Sequence, residues 1–128
     1  MRTLLLMMLA GALGTGARYG LTLWIQHGPG ARFDFPLGTL VINVAGCLLL
    51  SLVTTLALQR AAPDVRLILG TGFCGAFTTF STFELEADEL LRRAPNLAFW
   101  YLGGNLALGL AAIWAGRWLA LQIVGRPS

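Results

Sequence analysis

The sequence predicts an all-α membrane protein with four transmembrane helices in each subunit, the third of them broken near its middle. Of the 128 residues, 56% are hydrophobic and only 12% are charged, and the mean hydropathy is +0.71. Charged residues make up about a quarter of an ordinary soluble domain, so this composition indicates a chain that lies in lipid. The spacing of the charges and a cluster of poor helix formers are the other two observations behind the prediction.

The charges leave three long uncharged stretches after the first span. They cover positions 35–59, 67–83 and 94–116, which are 25, 17 and 23 residues long. A helix needs about 20 apolar residues to cross a bilayer. We therefore predict a single four-span membrane domain over residues 1–128, with spans at about 3–25, 36–59, 66–90 and 96–121.

The first span begins like a secretory signal peptide, with Arg2 before an apolar run and then small residues. Apolar residues continue beyond Arg18, and Gly16 and Gly20 form a GxxxG pair suited to close helix packing. A membrane helix is therefore favoured, with a signal peptide as the alternative. Arg18 is interpreted either as an anchor at the end of the helix bundle or as a charge in a water-filled vestibule.

The third span contains GTGFCGAFTTFSTF at positions 70–83, a stretch rich in Gly, Thr and Ser, which are poor helix formers. This composition predicts a break within CGAFT, positions 74–78, and a resumed helix from TFSTF onward. In lipid, a break is tolerated only where it is buried in protein or lines a wet cavity. The break is therefore a candidate functional site, with plain Gly and Thr packing as the alternative.

Helical spacing places Phe80 and Phe83 on one face of the resumed helix, and Thr79 and Thr82 on a neighbouring face. The two rings either line a site or pack against lipid and core, and spacing alone favours packing. On the second span, Asn43 is the informative residue, because an amide within an apolar span is costly unless it is hydrogen-bonded.

Polar and small residues also repeat along the other spans at helical spacing. They are Thr39, Asn43 and Gly46 on the second span, then Tyr101, Asn105 and Gly109 on the fourth, beside a small-residue ridge at Gly103, Ala107, Ala111 and Ala115. We predict that this ridge is a packing seam.

The polar groups within the spans are N–H and O–H donors and aromatic ring edges, without a deep carboxylate or His. Such donors suit an anion, because a phenyl ring has a positive edge and weak neutral ligands let an ion leave again. His27 has no catalytic or metal-ligand spacing around it, and neither do Cys47 and Cys74, so we expect no enzyme. The nine Arg and six acids give a net charge of +3, which on a membrane protein indicates headgroup contact rather than nucleic-acid binding.

Three segments resemble the signature blocks of the Fluc (CrcB) fluoride channel family. They are GALGTGARYG at 11–20, PLGTLVINVAG at 36–46 and GTGFCGAFTTFSTFELE at 70–86. The resemblance implies a fluoride-selective channel that passively exports fluoride and so relieves its toxicity. It also implies an antiparallel, dual-topology homodimer with two pores, located in the lipid bilayer of the cell membrane, which in bacteria is the inner membrane.

The resemblance assigns roles to individual residues. It places the ring edges of Phe80 and Phe83 on fluoride, with Asn43 donating beside them, and it makes Arg18 and Glu86 vestibule residues. A structural sodium ion at the dimer centre would be bound by the backbone carbonyls of Gly75 and Thr78 from both subunits. The remaining predicted residues of the fluoride pore are polar: Thr39, Thr79, Ser81, Thr82, Tyr101 and Asn105. The family carries hydroxyl side chains along the fourth helix, and this chain departs from that pattern at Asn105 and Gly109.

The distribution of Arg residues supports dual topology independently. One side of the membrane would have four Arg residues in its loops and the other side three, which is too small a bias to fix an orientation. The four are Arg2, Arg60, Arg66 and Arg126, and the three are Arg32, Arg92 and Arg93.

Two other functions were weighed. A small dual-topology, proton-coupled multidrug exporter needs a carboxylate within the membrane, whereas the first span has none and the acids cluster at the end of the third. A non-transporting scaffold subunit would explain the small-residue seams but gives no purpose to Asn43 or to the TTFSTF block.

Overall fold

A computed structural model describes residues 1–28 and 34–125, and every described element is helical. Arg32 and Arg126, which enter the charge count above, lie outside the described residues. The elements in chain order are α1 (Arg2–His27), α2 (Leu37–Gln59), α3 (Pro63–Val65), a π-helix that we call π1 (Arg66–Cys74), α4 (Gly75–Phe77), α5 (Phe80–Arg93) and α6 (Pro95–Val124). The all-α prediction is therefore confirmed.

Three helices, α1, α2 and α6, are long and apolar enough to cross a membrane. At 30 residues, α6 is about 45 Å long, whereas the hydrocarbon core is about 30 Å thick. Trp100 and Trp118 are both exposed on α6, and 18 residues of helix separate them by about 27 Å. Exposed Trp side chains at this separation are typical of the two interfaces of a bilayer.

The segment from α3 to α5 is interrupted at Thr78 and Thr79. The sequence predicts the interruption at Thr78 but places Thr79 in the resumed helix. Thr78 (φ −81°, ψ 162°) and Thr79 (φ −149°, ψ 113°) have extended backbones, and α5 resumes at Phe80. The predicted start of the break at position 74 is wrong, because Gly75 (φ −62°, ψ −35°) is still helical. The wide helical turn of π1 before it has no counterpart in the sequence-based prediction.

The first helix packs closely on π1 through glycines that leave no room for a side chain. A Cβ atom at Gly14 would collide with the carbonyl of Phe73, and one at Gly72 would lie 2.8 Å from the carbonyl oxygen of Met7. The predicted GxxxG pair is not used for this contact, because Gly16 and Gly20 face open space. Small residues therefore do allow α1 to pack closely on the third segment, but they are Gly14 and Gly72 rather than Gly16 and Gly20.

Among the described elements, α2 and α6 make the most extensive contact. A Cβ atom at Gly116 would lie 2.5 Å from the carbonyl oxygen of Leu48, and Ser51 Oγ donates a 2.6 Å hydrogen bond to the carbonyl of Ile113. The small buried residues of α6 that form this seam are Gly109, Ala112, Gly116 and Ala120. The predicted ridge at Gly103, Ala107, Ala111 and Ala115 is exposed in the single subunit, so its role as a packing seam stays a prediction.

A core of buried side chains fixes α5 against α6. Its buried members are Phe83, Ala87, Leu90, Ala98 and Tyr101. The ring of Tyr101 meets the ring of Phe35 edge-on, with centroids 5.4 Å apart. This contact also ties the segment before α2 to the start of α6, and it sets the position at which α5 leaves the break.

Gly116→Ala should destabilise the protein, because the added methyl group meets backbone atoms of α2 that have no room to move. We expect a loss of about 1–3 kcal/mol, the usual cost of overpacking. Gly104→Ala is the matched control on the same helix, since a Cβ atom there meets nothing within 4 Å. Unfolding temperatures in detergent measure both, and equal values for the two variants would contradict the proposed seam.

Candidate functional site

The extended break is held by the side-chain amide of Asn43 on α2. The backbone N–H of Thr79 donates to Asn43 Oδ1 at 3.0 Å, and Asn43 Nδ2 donates to the carbonyl oxygen of Thr79 at 3.3 Å. One amide therefore satisfies both backbone groups of a residue that has left the helix. Because unpaired backbone groups are costly in an apolar surrounding, this pair of bonds stabilises the break.

A second amide continues the network to α6. Asn43 Nδ2 donates to Asn105 Oδ1 at 3.3 Å, and Asn105 Nδ2 donates to the carbonyl oxygen of Tyr101 at 3.0 Å. The break, α2 and α6 are thus joined by a continuous chain of hydrogen bonds. Donation from Asn43 to an ion, as predicted from the family resemblance, would require one of its two existing bonds to open.

Thr79 also caps the start of α5. Its Oγ1 accepts the backbone N–H of Thr82 at 3.3 Å and donates to Thr82 Oγ1 at 2.9 Å. Satisfying a free N–H of the first turn in this way is the normal role of a helix N-cap. Thr79 and Thr82 therefore share a face, as their spacing predicts.

Because the N–H groups of Thr79 and Thr82 bond elsewhere, two carbonyl groups at the break lose their usual helical donors. In a continuous helix, the N–H groups of Thr79 and Thr82 would serve the carbonyls of Gly75 and Thr78. Here they donate to Asn43 and to Thr79 Oγ1 instead. Gly75 is exposed and Thr78 is half-buried in the single subunit. Freed carbonyl oxygens are the ligands that a hard cation prefers, so this arrangement fits the predicted sodium ligands.

A cavity of about 260 Å³, which we call the ring cavity, opens beside the break. Phe80 and Phe83 both line it, with ring centroids 5.9 Å apart. Phe83 is only 5% exposed and also packs against Tyr101, whereas Phe80 is 74% exposed. The other lining residues are Asn43, Gly46, Cys47, Leu50, Thr78, Thr79, Asn105 and Leu106.

A second cavity, of about 430 Å³, is lined by residues of α1, α2 and α5 and by Thr79, and we call it the intermediate cavity. Arg18 and Glu86, the two predicted vestibule residues, both line it, together with Thr39, Thr79 and Thr82. Thr79 lines the intermediate cavity and the ring cavity alike. The clamped break therefore contributes a residue to both spaces.

A third cavity, the mouth cavity of about 370 Å³, adjoins the intermediate cavity. The two share Thr22, Gln26, Thr39 and Glu86. At the mouth, Arg93 binds Asp34 through a 3.5 Å ion pair and a 3.1 Å hydrogen bond to its carbonyl oxygen. Both side chains are at least half exposed, so this pair marks the end of the cavity that faces water.

Tyr101 and Glu86 form a pair that sequence reasoning missed. The Tyr101 hydroxyl donates to Glu86 Oε2 at 2.6 Å, and the Tyr101 side chain is completely buried. The two residues lie 15 positions apart on different helices, so no local spacing connects them. The bond fixes one oxygen of Glu86 while the residue still lines the intermediate and mouth cavities.

The structure brings most of the predicted pore residues to these cavities. Ser81 and Tyr101 are the exceptions, because neither lines any of the three cavities. Ser81 is exposed on the first turn of α5, and Tyr101 is completely buried. At Gly109, where a side chain is missing relative to the resembled family, Cys47 Sγ lies 3.6 Å from the position a Cβ atom would take. Cys47 thus fills the space beside that glycine. The pore and sodium roles themselves stay predictions.

Comparisons with known proteins identify the family. Residues 5–117 match the family model described as "CrcB-like protein, Camphor Resistance (CrcB)". The chain is 49% identical over 119 residues to "Fluoride-specific ion channel FluC" of Nitratidesulfovibrio vulgaris, covering 91% of this chain and 94% of the relative.

Two further relatives carry similar names. "Fluoride-specific ion channel FluC 1" of Symbiobacterium thermophilum is 48% identical over 110 residues, covering 84% of this chain and 88% of the relative. "Fluoride-specific ion channel FluC 2" of Bacillus subtilis is 42% identical over 118 residues, covering 91% and 86%. Because the family model spans most of the chain and these relatives match it almost from end to end, the protein belongs to the CrcB-like family.

Proposed function

We propose that this protein is a fluoride channel that lets fluoride leave the cell passively and so relieves fluoride toxicity. The observation that carries the proposal is the end-to-end similarity to relatives named fluoride-specific ion channels. The ring cavity supports it, because its lining offers ring edges and neutral donors that suit an anion.

Fluoride binds at the ring cavity, where the edges of Phe80 and Phe83 face it. A ring edge carries a partial positive charge, so it attracts an anion without trapping it. The mouth and intermediate cavities lead toward this point and include hydroxyl groups of Thr39, Thr79 and Thr82. Arg18 raises the local anion concentration in the intermediate cavity.

The working unit is a homodimer. In a single subunit, Phe80 is 74% exposed, Ser81 and Thr82 are exposed and Thr78 is only half-buried. Hydroxyl groups and an interrupted backbone do not face lipid, so protein must cover this surface. A second copy of the chain covers it symmetrically and gives two pores, one beside each break.

The two subunits lie antiparallel in the bilayer of the bacterial cell membrane, which is the inner membrane where there are two. The nearly balanced Arg residues of the loops support insertion in both orientations. A structural sodium ion lies where the two breaks meet, bound by the carbonyls of Gly75 and Thr78 from each subunit. Its role is to neutralise carbonyl dipoles that would otherwise repel one another across the dimer axis.

Purified protein in liposomes should release trapped fluoride and retain trapped chloride. A fluoride electrode and a chloride electrode measure the two effluxes after valinomycin is added, because this ionophore lets potassium leave with each anion and so balances the charge. Fluoride efflux equal to that of protein-free liposomes would rule out the channel. Equal release of both anions would rule out selectivity.

Phe80→Ile and Phe83→Ile should each slow fluoride efflux by about two- to twelvefold, since a ring interaction contributes roughly 0.5–1.5 kcal/mol. Phe99→Ile is the matched control, because Phe99 is also highly exposed but lies on α6 away from the cavities. Size-exclusion chromatography verifies assembly of each variant. If both Phe80→Ile and Phe83→Ile release fluoride as fast as Phe99→Ile does, the two rings do not line the fluoride pathway.

A cysteine introduced at Gln59, which is exposed at the end of α2, should react with an impermeant maleimide from both sides of the membrane. The background is Cys47→Ala and Cys74→Ala, so that no other thiol is present. We expect about half of the molecules to be labelled in intact cells or right-side-out vesicles, and the rest only after permeabilisation, because opposite orientations insert in equal numbers. Labelling from one side alone would contradict dual topology.

A further inference from the structure

The turn from α2 to α3 carries two apolar grooves that share no lining residue with the cavities beside the break. We call them the α2 groove, of about 210 Å³, and the π1 groove, of about 300 Å³. Both include Ala57 and Ala62. The α2 groove is otherwise lined by Val53, Leu56, Arg60, Val65 and Leu69, and the π1 groove by Leu58, Ala61, Pro63, Arg66 and Leu67. Each groove is therefore apolar except for a single Arg.

The α2 groove extends from the surface of the bilayer toward its hydrocarbon core. The 23 residues of α2 make a helix about 34 Å long, slightly longer than the hydrocarbon core of about 30 Å. Arg60 follows the last residue of α2 and therefore lies at the membrane interface. Val53 and Leu56 line the groove on the same helix, and Val53 lies about 10 Å deeper along α2 than Arg60. A lipid acyl chain fits an apolar groove of this direction and depth.

The charge around this turn is positive. Arg60 and Arg66 are both exposed, and neither makes an ion pair with the residues that the structure describes. Between positions 53 and 69 the sequence has one acid, Asp64, and its Oδ1 accepts a 3.4 Å hydrogen bond from Thr3 Oγ1. That bond brings the start of α1, with Arg2, to the same end of the helix bundle. The two grooves therefore open at a place that attracts an anion.

We propose that the two grooves bind an anionic phospholipid of the surrounding bilayer, with its phosphate on Arg60 and Arg66 and an acyl chain in the α2 groove. A guanidinium group matches a phosphate in geometry, because it donates two parallel N–H bonds to it. Basic pockets between transmembrane helices bind anionic headgroups in this way. A zwitterionic lipid carries its own cation, so the two Arg side chains attract it less. The site does not depend on the proposed transport of fluoride.

Native mass spectrometry of the purified protein, in detergent with equal amounts of phosphatidylglycerol and phosphatidylcholine, measures which lipid is retained. The wild type should retain phosphatidylglycerol in preference. Arg60→Gln combined with Arg66→Gln should weaken phosphatidylglycerol binding by about five- to thirtyfold, since each Arg near an anionic headgroup contributes about fivefold. Arg2→Gln combined with Arg117→Gln is the matched control and should bind as the wild type does. It removes the same charge from two exposed residues that line neither groove.

Val53→Phe tests the position of the acyl chain while both Arg residues stay in place. The larger side chain should narrow the α2 groove and weaken phosphatidylglycerol binding by about fivefold or more, the usual scale of overpacking. Val41→Phe is the control, because Val41 also lies on α2 but lines neither groove. Size-exclusion chromatography verifies the assembly of every variant.

Several results would overturn the lipid site. Equal retention of the two lipids by the wild type, or equal weakening in the two double variants, would show that the grooves do not select an anionic headgroup. Wild-type binding by Val53→Phe would exclude an acyl chain from the α2 groove. Elution of the Arg60→Gln, Arg66→Gln variant as a single subunit would show instead that a second copy of the chain covers the grooves.

Discussion

The hydrogen bonds between the Asn43 amide and the backbone of Thr79 are the interaction on which the rest of the site depends. A chain cannot leave a helix within lipid unless something replaces the backbone bonds it gives up. Asn43 replaces them at one residue, and Thr79 then caps α5 with its own side chain. The other features of the site follow from the position of Thr78 and Thr79, where one helix ends and the next begins.

Two kinds of ligand become available at once because the helix is interrupted. Carbonyl groups of Gly75 and Thr78 lose their helical donors and turn into candidate cation ligands. The restart at Phe80 directs Phe80 and Phe83 to the ring cavity, and the core around Tyr101 holds Phe83 in place. Glycines that permit close helix contact, at Gly14, Gly72 and Gly116, keep the surrounding helices near enough for the amide network to reach across.

Local sequence was sufficient to predict the break and the Thr79–Thr82 face, because helix propensity and i, i+3 spacing act within a few residues. It could not predict the partners of Asn43, which lie 36 and 62 positions away, or the Tyr101–Glu86 pair. Those contacts depend on how helices dock. The small-residue ridge of α6 illustrates the same limit: spacing identifies a face that permits close packing, but not which neighbour occupies it. Fluoride itself came from family resemblance and was supported by the comparisons, since ring edges and amides would suit other small anions as well.

Hydrogen exchange at the backbone amide of Thr79 tests the clamp most directly. Thr79 has an extended conformation outside any helix, so protection of its N–H must come from Asn43. We predict slow exchange in the wild type and in the control variant Asn96→Leu, which changes an exposed asparagine of α6. Exchange should be fast in Asn43→Leu, while amides in the middle of α2 stay protected in all three proteins. Equal protection of Thr79 in the wild type and in Asn43→Leu would show that something other than this amide holds the break.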